Sequence, residues 1–488
     1  MGERDVRRTA LLPTATGVAV SSSAASPPGR THMSNREQVL YADHALLPEG
    51  LARAVRVTLD PVQGTVTAVS TGAGAEGATR VGSLLLPALP NAHSHVFQRL
   101  IAGLTERQDD PADDFWSWRE AMYAGAGLLD PDALYKVAAF TYSEMLAAGY
   151  GQVCEFHYVH NAADGRPYAP ASAMAQALIS AAEDTGIALT LLPTLYQRGG
   201  FDERPLAARQ RRFGLTLEAF VRLVEDLRSA EHARLRIGMA IHSLRAVAPA
   251  ELATLLTTPV AASGPIHIHI AEQMAEVEQC VAALGSTPIR WLYDHAAVDA
   301  RWTLVHATHA DPAETGQMAR SRAVLGLCPT TEANLGDGLF PLRAYLDQGG
   351  VLAIGSDSHV EIDPVGELRL AEYGQRLSER RRNRCASPRD PLVALNLWRA
   401  ALAGGAQAAD LPVGAIAVGR SADLLALQAP AGFAADDGAA QLSGHLFAWG
   451  ATRPRVWCRG RELAGTDPSS AVARGFAELR QRVQAALP

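Results

Sequence analysis

Lysine is almost absent from this 488-residue chain: Lys136 is the only one, so the other 43 of its 44 basic residues are arginines. Lys136 falls in a predicted helix, which leaves every predicted strand without a lysine. Cysteine is also scarce. Cys154, Cys280, Cys328, Cys385 and Cys458 are scattered without a CxxC pair, a pattern that points to a reduced, cytoplasmic protein with small buried thiols. No apolar run approaches the roughly 18 residues that span a bilayer. There is no excess of positive charge either. The net charge of −7 gives no support to a nucleic-acid-binding or membrane-surface protein.

Residues 1–34 are rich in Ala, Ser, Thr and Pro and read as a disordered tail, a tag or an over-extended start before Met33. From Ser83 to His359 short apolar runs alternate with longer amphipathic stretches. Eight strands are predicted: Ser83–His95, Gln152–Val159, Ile187–Tyr196, Leu235–His242, Pro265–Ala271, Trp302–His306, Ala323–Cys328 and Val351–Asp357. Helices are predicted between them, such as Pro131–Ala148 behind an Asp130 cap. Eight βα repeats imply a closed parallel (β/α)8 TIM barrel, an α/β fold, over residues 86–404. Both flanks, 35–85 and 405–470, have strand patterning and suit a small shared β-sandwich domain, followed by a C-terminal helix at 471–488.

His95, His157, His242, Glu272, His306, Thr330 and Asp357 all fall at or just past strand ends, the face on which barrels build active sites. His93 and His95 at i and i+2 share one strand face. In His267-Ile268-His269 both imidazoles also point the same way, and His269 lies nearer the mouth. His267 is then structural or a support behind the ligands. His93, His95, His269 and Asp357 together offer three nitrogens and one oxygen, suited to one divalent ion: Zn first, with Fe or Mn open. Such a site activates water for hydrolysis. Glu272, three residues past a ligand, is placed to carry a proton from that water to the leaving nitrogen. His306 would hold the attacking oxygen and stabilise the tetrahedral intermediate, with Asp357 orienting the water. His309 is divided between support of the site and a helix start.

The ordered set resembles the amidohydrolase superfamily, in its single-metal deaminase branch. LPALPNAHSHVFQRLIAGL (86–104), HIHIAEQMAEV (267–277), WTLVHATH (302–309), GLCPTTEANLGDGLF (326–340) and GSDSHV (355–360) resemble the formimidoylglutamate deiminases of histidine degradation. The resemblance implies release of ammonia from N-formimino-L-glutamate to give N-formyl-L-glutamate, and a homodimer. Binuclear members bridge their metals with a carboxylated strand lysine, which this chain cannot supply; Glu155 is the only substitute in view. A substrate with two carboxylates calls for arginines at the barrel mouth. The resemblance points to Arg119 and Arg245, with Gln98, Tyr158 and His242, as the substrate-binding set, and Arg198 stands in reserve. Two rivals are a purine or pyrimidine deaminase, which Tyr158, Trp116 and Trp118 would suit, and a non-catalytic metal-stabilised binding protein.

Overall fold

The computed structural model describes residues 37–107, 115–388, 390–433, 436–450, 453–463 and 467–487. The expected tail at 1–34 and the side chain of Trp116 lie outside them. Eight parallel strands pair in chain order: β1 (Leu89–Ser94), β2 (Tyr150–His157), β3 (Ala188–Leu195), β4 (Leu235–Ile237 with Met239–Ile241), β5 (Ile266–Ile270), β6 (Trp302–His306), β7 (Val324–Leu327) and β8 (Val351–Ile354). Their residues are almost all buried on both faces, as expected where helices cover the outside and side chains fill the inside. The ring closes through a parallel bridge between Ser94 and Asp357, with Asp357 N donating to His93 O at 3.0 Å and His95 N to Asp357 O at 3.1 Å.

β4 departs from the single strand expected over 235–242. It breaks at Gly238, where a Cβ would lie 2.6 Å from Pro265 O and 2.7 Å from Leu192 Cδ2. The missing side chain lets the start of β5 approach, as a glycine inside a strand often does. The helix Pro131–Ala148 forms as expected. Asp130 accepts from Ala133 N at 2.8 Å, Pro131 occupies the first turn, and Gly149 ends the helix with φ 109°.

The two flanks build one seven-stranded sheet. Strands Gln38–Leu47, Gly50–Asp60, Thr65–Ser70 and Thr79–Pro87 come from one side of the barrel, and Leu424–Leu427, Arg455–Cys458 and Arg461–Glu462 from the other. Thr79–Pro87 is central, parallel to Gln38–Leu47 and antiparallel to Leu424–Leu427. The sheet rolls until Val66 N meets Arg420 O at 3.0 Å, enclosing a core of Leu40, Val55, Val57, Leu85, Leu424 and Trp457. Helix Val393–Ala409 packs on β1 and β8. The C-terminal helix Ser470–Ala486 stacks Phe476 on Phe140 at 3.9 Å between ring centres. All five cysteines are free and buried, and no described helix is long and apolar enough to cross a membrane.

Gly355, just past β8, sits against the backbone that carries His93: a Cβ there would lie 2.7 Å from His93 Cβ and 2.9 Å from both His93 N and O. Gly355→Ala must therefore push one strand off the other. It is expected to cost about 1–3 kcal/mol, read as a lower melting temperature, together with reduced metal retention by elemental analysis.

Candidate metal centre and active site

His93 stands on β1 and His95 one residue past its end, both turned into the barrel mouth, and β5 brings His269 to face them. The three Nε2 atoms converge at 3.2 Å (93 to 95), 3.2 Å (95 to 269) and 3.0 Å (269 to 93). Asp357 Oδ1 lies 3.3 Å from His93 Nε2 and 3.4 Å from His95 Nε2. For Zn–N bonds of about 2.0–2.1 Å the edge of a tetrahedron is roughly 3.3 Å, so four donors at these separations fit one small divalent ion. All four residues are buried.

Protonation agrees with that fit. A backbone carbonyl only accepts, so His95 Nδ1 donates to Phe156 O at 2.9 Å and His269 Nδ1 to His242 O at 3.0 Å. Each tautomer leaves the Nε2 lone pair facing the centre. Burial holds the imidazoles neutral, pulling His93 down to about 3 and lowering His95 and His269 as well. Asp357 is held ionised: burial opposes its charge, but the hydrogen-bond contact with His93 and the charged His306 nearby outweigh it. The histidines of the second pair face different partners. His267 Nε2 points away, to Ala408 O at 3.0 Å. Lys136 sits on a helix surface, paired with Asp132 at 2.6 Å, and has no part in the centre.

The strand ends are strained. Ala271, His306, Ala307, Asp357 and His359 all have positive φ, between 42° and 66°. Such conformations cost on the order of 1–3 kcal/mol each and cluster where side chains must be aimed against backbone preference. Here they turn Glu272, His306 and Asp357 toward one point. His306 Nε2 lies 3.7 Å from Glu272 Oε1 and 3.7 Å from Asp357 Oδ2, while its Nδ1 lies 3.2 Å from Glu332 Oε1. Burial opposes a charge on His306, but these carboxylates outweigh it and raise it to about 10. It is a cation set among three acids. Burial raises Glu272 to about 7, with His306 pulling the other way.

Several supporting groups carry no motif of their own. Glu332 also accepts from Cys328 N at 2.9 Å, and Glu276 from Glu272 N at 3.1 Å. Glu155, far from bridging metals, accepts from Ser94 Oγ at 2.6 Å and Val96 N at 3.0 Å, bracing the backbone on both sides of His95. His359 bridges Ser94 and Ser356 at 3.0 Å each. A hint in the sequence was the serine beside His93, His95 and Asp357, but only the folded register shows which of many such residues turn inward.

One cavity is lined by His95, His269, Glu272 and Asp357 together with Gln98, Arg119, Tyr158, His242 and Arg245, the whole expected substrate-binding set. Trp118, Met122, Tyr123, Tyr196, Phe213 and Leu335 complete the wall; of these only Trp118 was singled out in the sequence. Arg198 is not in the cavity: it donates to Leu244 O at 3.1 Å and Arg245 O at 3.3 Å, bracing the loop that presents Arg245. His157 packs against His160 and Thr330 bonds Glu367 at 2.6 Å, so both strand-end residues are structural. His309 does not line the cavity, and its backbone N donates to Ala271 O at 3.2 Å.

A barrel of this topology with three histidines and an aspartate at its mouth defines a metallohydrolase class, and the amidohydrolase family profile matches residues 84–444. The chain belongs to the amidohydrolase family. It is 50% identical over 453 residues to the formimidoylglutamate deiminase of Pseudomonas aeruginosa, covering 90% of this chain and 98% of that one. It is 26% identical over 383 residues to the 5-methylthioadenosine/S-adenosylhomocysteine deaminase of Natronomonas pharaonis, covering 78% and 81%. Among solved structures, an amidohydrolase from Brucella melitensis superposes with TM-score 0.85 at 39% identity, covering 91% and 99%.

Removing the carboxylate behind His306 separates support of that imidazole from metal binding. Glu332→Ala is expected to lower kcat by about 10–100-fold, the usual effect of losing such a partner, with metal content unchanged by elemental analysis.

Proposed function

We propose that this protein hydrolyses N-formimino-L-glutamate to N-formyl-L-glutamate and ammonia, using one zinc ion held by His93, His95, His269 and Asp357. The observation that carries this reading is one cavity lined by His95, His269, Asp357, Glu272, Arg119 on the helix Phe115–Gly127 and Arg245 on a turn, with His93 completing the donor cluster and His306 at 3.7 Å from Glu272. The 50% identity to a formimidoylglutamate deiminase over nearly its whole length supports the same substrate.

A divalent ion bound there would act as a Lewis acid and bring the pKa of water toward about 7. Glu272 is the base: with an affinity for protons near neutrality it takes one from the attacking water and passes it to the departing nitrogen. Water adds to the formimino carbon and the C–NH2 bond breaks, so HC(=NH)–NH–R becomes HC(=O)–NH–R with loss of NH3. Protonated His306 faces the oxygen that gains charge, and Asp357 orients the water. Gln98 donates to Tyr158 OH at 3.0 Å, and its own buried Oε1 meets no donor among the described residues, which leaves it to accept an N–H of the amidine. Arg119 and Arg245 bind the carboxylates. Two arginines in the wall suit a substrate with two carboxylates better than a neutral nucleobase.

Ammonia release from formiminoglutamate, set beside a panel of purines, pyrimidines and their nucleosides, tests the reading. Turnover confined to a member of that panel would overturn it. Glu272→Gln is expected to keep the metal and lose turnover by several orders of magnitude. Because Glu272 must be ionised to accept a proton, kcat/KM should fall as pH drops through the Glu272 pKa. A bound cation draws that value down from about 7, so the acid limb is expected at or below neutrality. Arg245→Ala should raise KM about 10–100-fold, the loss of a hydrogen-bonded charge, with metal content intact.

A further inference from the structure

Gln210, on the turn Ala208–Phe213, is a buried amide whose orientation is dictated by a backbone group. Ala207 N lies 3.0 Å from Gln210 Oε1, and an N–H can only donate, so the oxygen must face Ala207. The amino end then faces the other way, where it lies 3.0 Å from the Tyr123 hydroxyl and 3.1 Å from the Tyr196 hydroxyl. Both phenol oxygens therefore accept from Gln210, and each keeps its own proton for another partner. No other hydrogen bond is made by either phenol among the described residues.

Both rings line the cavity of the metal centre. Arg119 lies 5.5 Å over the Tyr123 ring, and the Tyr196 ring centre is 4.4 Å from that of His242. Two O–H donors with no acceptor of their own, beside guanidinium groups, favour an anionic oxygen over a neutral heterocycle. A buried donor left unmatched costs free energy that a carboxylate would remove. The wall is built for an acceptor.

We propose that Tyr123 and Tyr196, set by Gln210, form a two-donor subsite for one carboxylate of the substrate. Gln210 acts as the positioning residue that turns both hydroxyl protons into the cavity. The inference rests on the proposed dicarboxylate substrate. It predicts an inversion: in Gln210→Glu the new carboxylate still accepts from Ala207 N but also accepts both phenol protons, leaving phenol lone pairs to face the substrate.

Steady-state kinetics on the metal-loaded enzyme test this with formiminoglutamate and two formimino analogues, each lacking one carboxylate. The double variant Tyr123→Phe/Tyr196→Phe is expected to raise KM for formiminoglutamate about 10–100-fold, with kcat changed less than about threefold. The analogue lacking the carboxylate held there should show no such loss. Gln210→Glu should raise KM at least as much, with unchanged metal content and melting temperature. Unaltered KM in both variants, or an equal loss on all three substrates, would overturn the subsite. Wild-type enzyme inactive on formiminoglutamate would instead refute the substrate reading. Glutarate binding by calorimetry then decides the phenol pair: equal affinity in wild type and double-Phe variant removes it, and weaker affinity in the variant retains it.

Discussion

Everything at the barrel mouth depends on the seam where the first and last strands meet. Asp357 N donates to His93 O and His95 N donates to Asp357 O, so the same two hydrogen bonds that close the ring set the aspartate beside the histidine pair. The carboxylate and the imidazoles cannot be separated without opening the barrel. Gly355 allows that seam to be tight, because any side chain there would collide with His93. Closure and ligand placement are thus one constraint, enforced by backbone geometry more than by the side chains' own preferences.

Around the seam, charge is arranged in two zones. The donor cluster is desolvated and its imidazoles neutral, with the tautomers of His95 and His269 fixed by the carbonyls of Phe156 and His242. A few ångströms away His306 is held charged by Glu272, Glu332 and Asp357. The contrast follows from partners: carbonyls fix a neutral ring, while carboxylates favour a cation strongly enough to offset burial. The positive-φ residues that aim these groups cost stability locally, and the deeply buried barrel core offsets it.

Much of this was legible in the sequence, because strand alternation is a rigid rule. Two histidines at i and i+2 must share a face, and polar residues at strand ends must share the mouth, so His93, His95, His269, Glu272, His306 and Asp357 could be read as neighbours. Residues held by the irregular backbone could not. Gln210 and Tyr123 lie on a turn and a helix outside the strand pattern, and Tyr196 follows β3 like any aromatic residue. Glu155 looked like a possible metal bridge because it is a carboxylate within the second strand of a chain whose one lysine lies elsewhere. Its actual partners, Ser94 and Val96, depend on a register shift in the β1–β2 pairing between Asn91 and Ser94. The break in β4 had its signal in Gly238, but the carbonyl of Pro265 that makes the glycine necessary lies on another strand.

The rolled flank sheet has a kinetic consequence. Ser83 bonds Leu427 O across 344 residues of sequence, and strand Thr79–Pro87 runs almost directly into β1. The sheet's central pairing therefore carries a very high contact order, and the loop-closure entropy beneath it is lost before its contacts can form. The barrel repeats can assemble from near neighbours, strand on following strand. The hairpins within Gln38–Ser70 can also form locally, but the junction of Thr79–Pro87 with Leu424–Leu427 has to wait, and those Leu-rich edges stay unpaired in the interval. Assembly of that junction is then the slow and aggregation-exposed phase of folding, although the strand at its centre ends just ahead of β1 and His93.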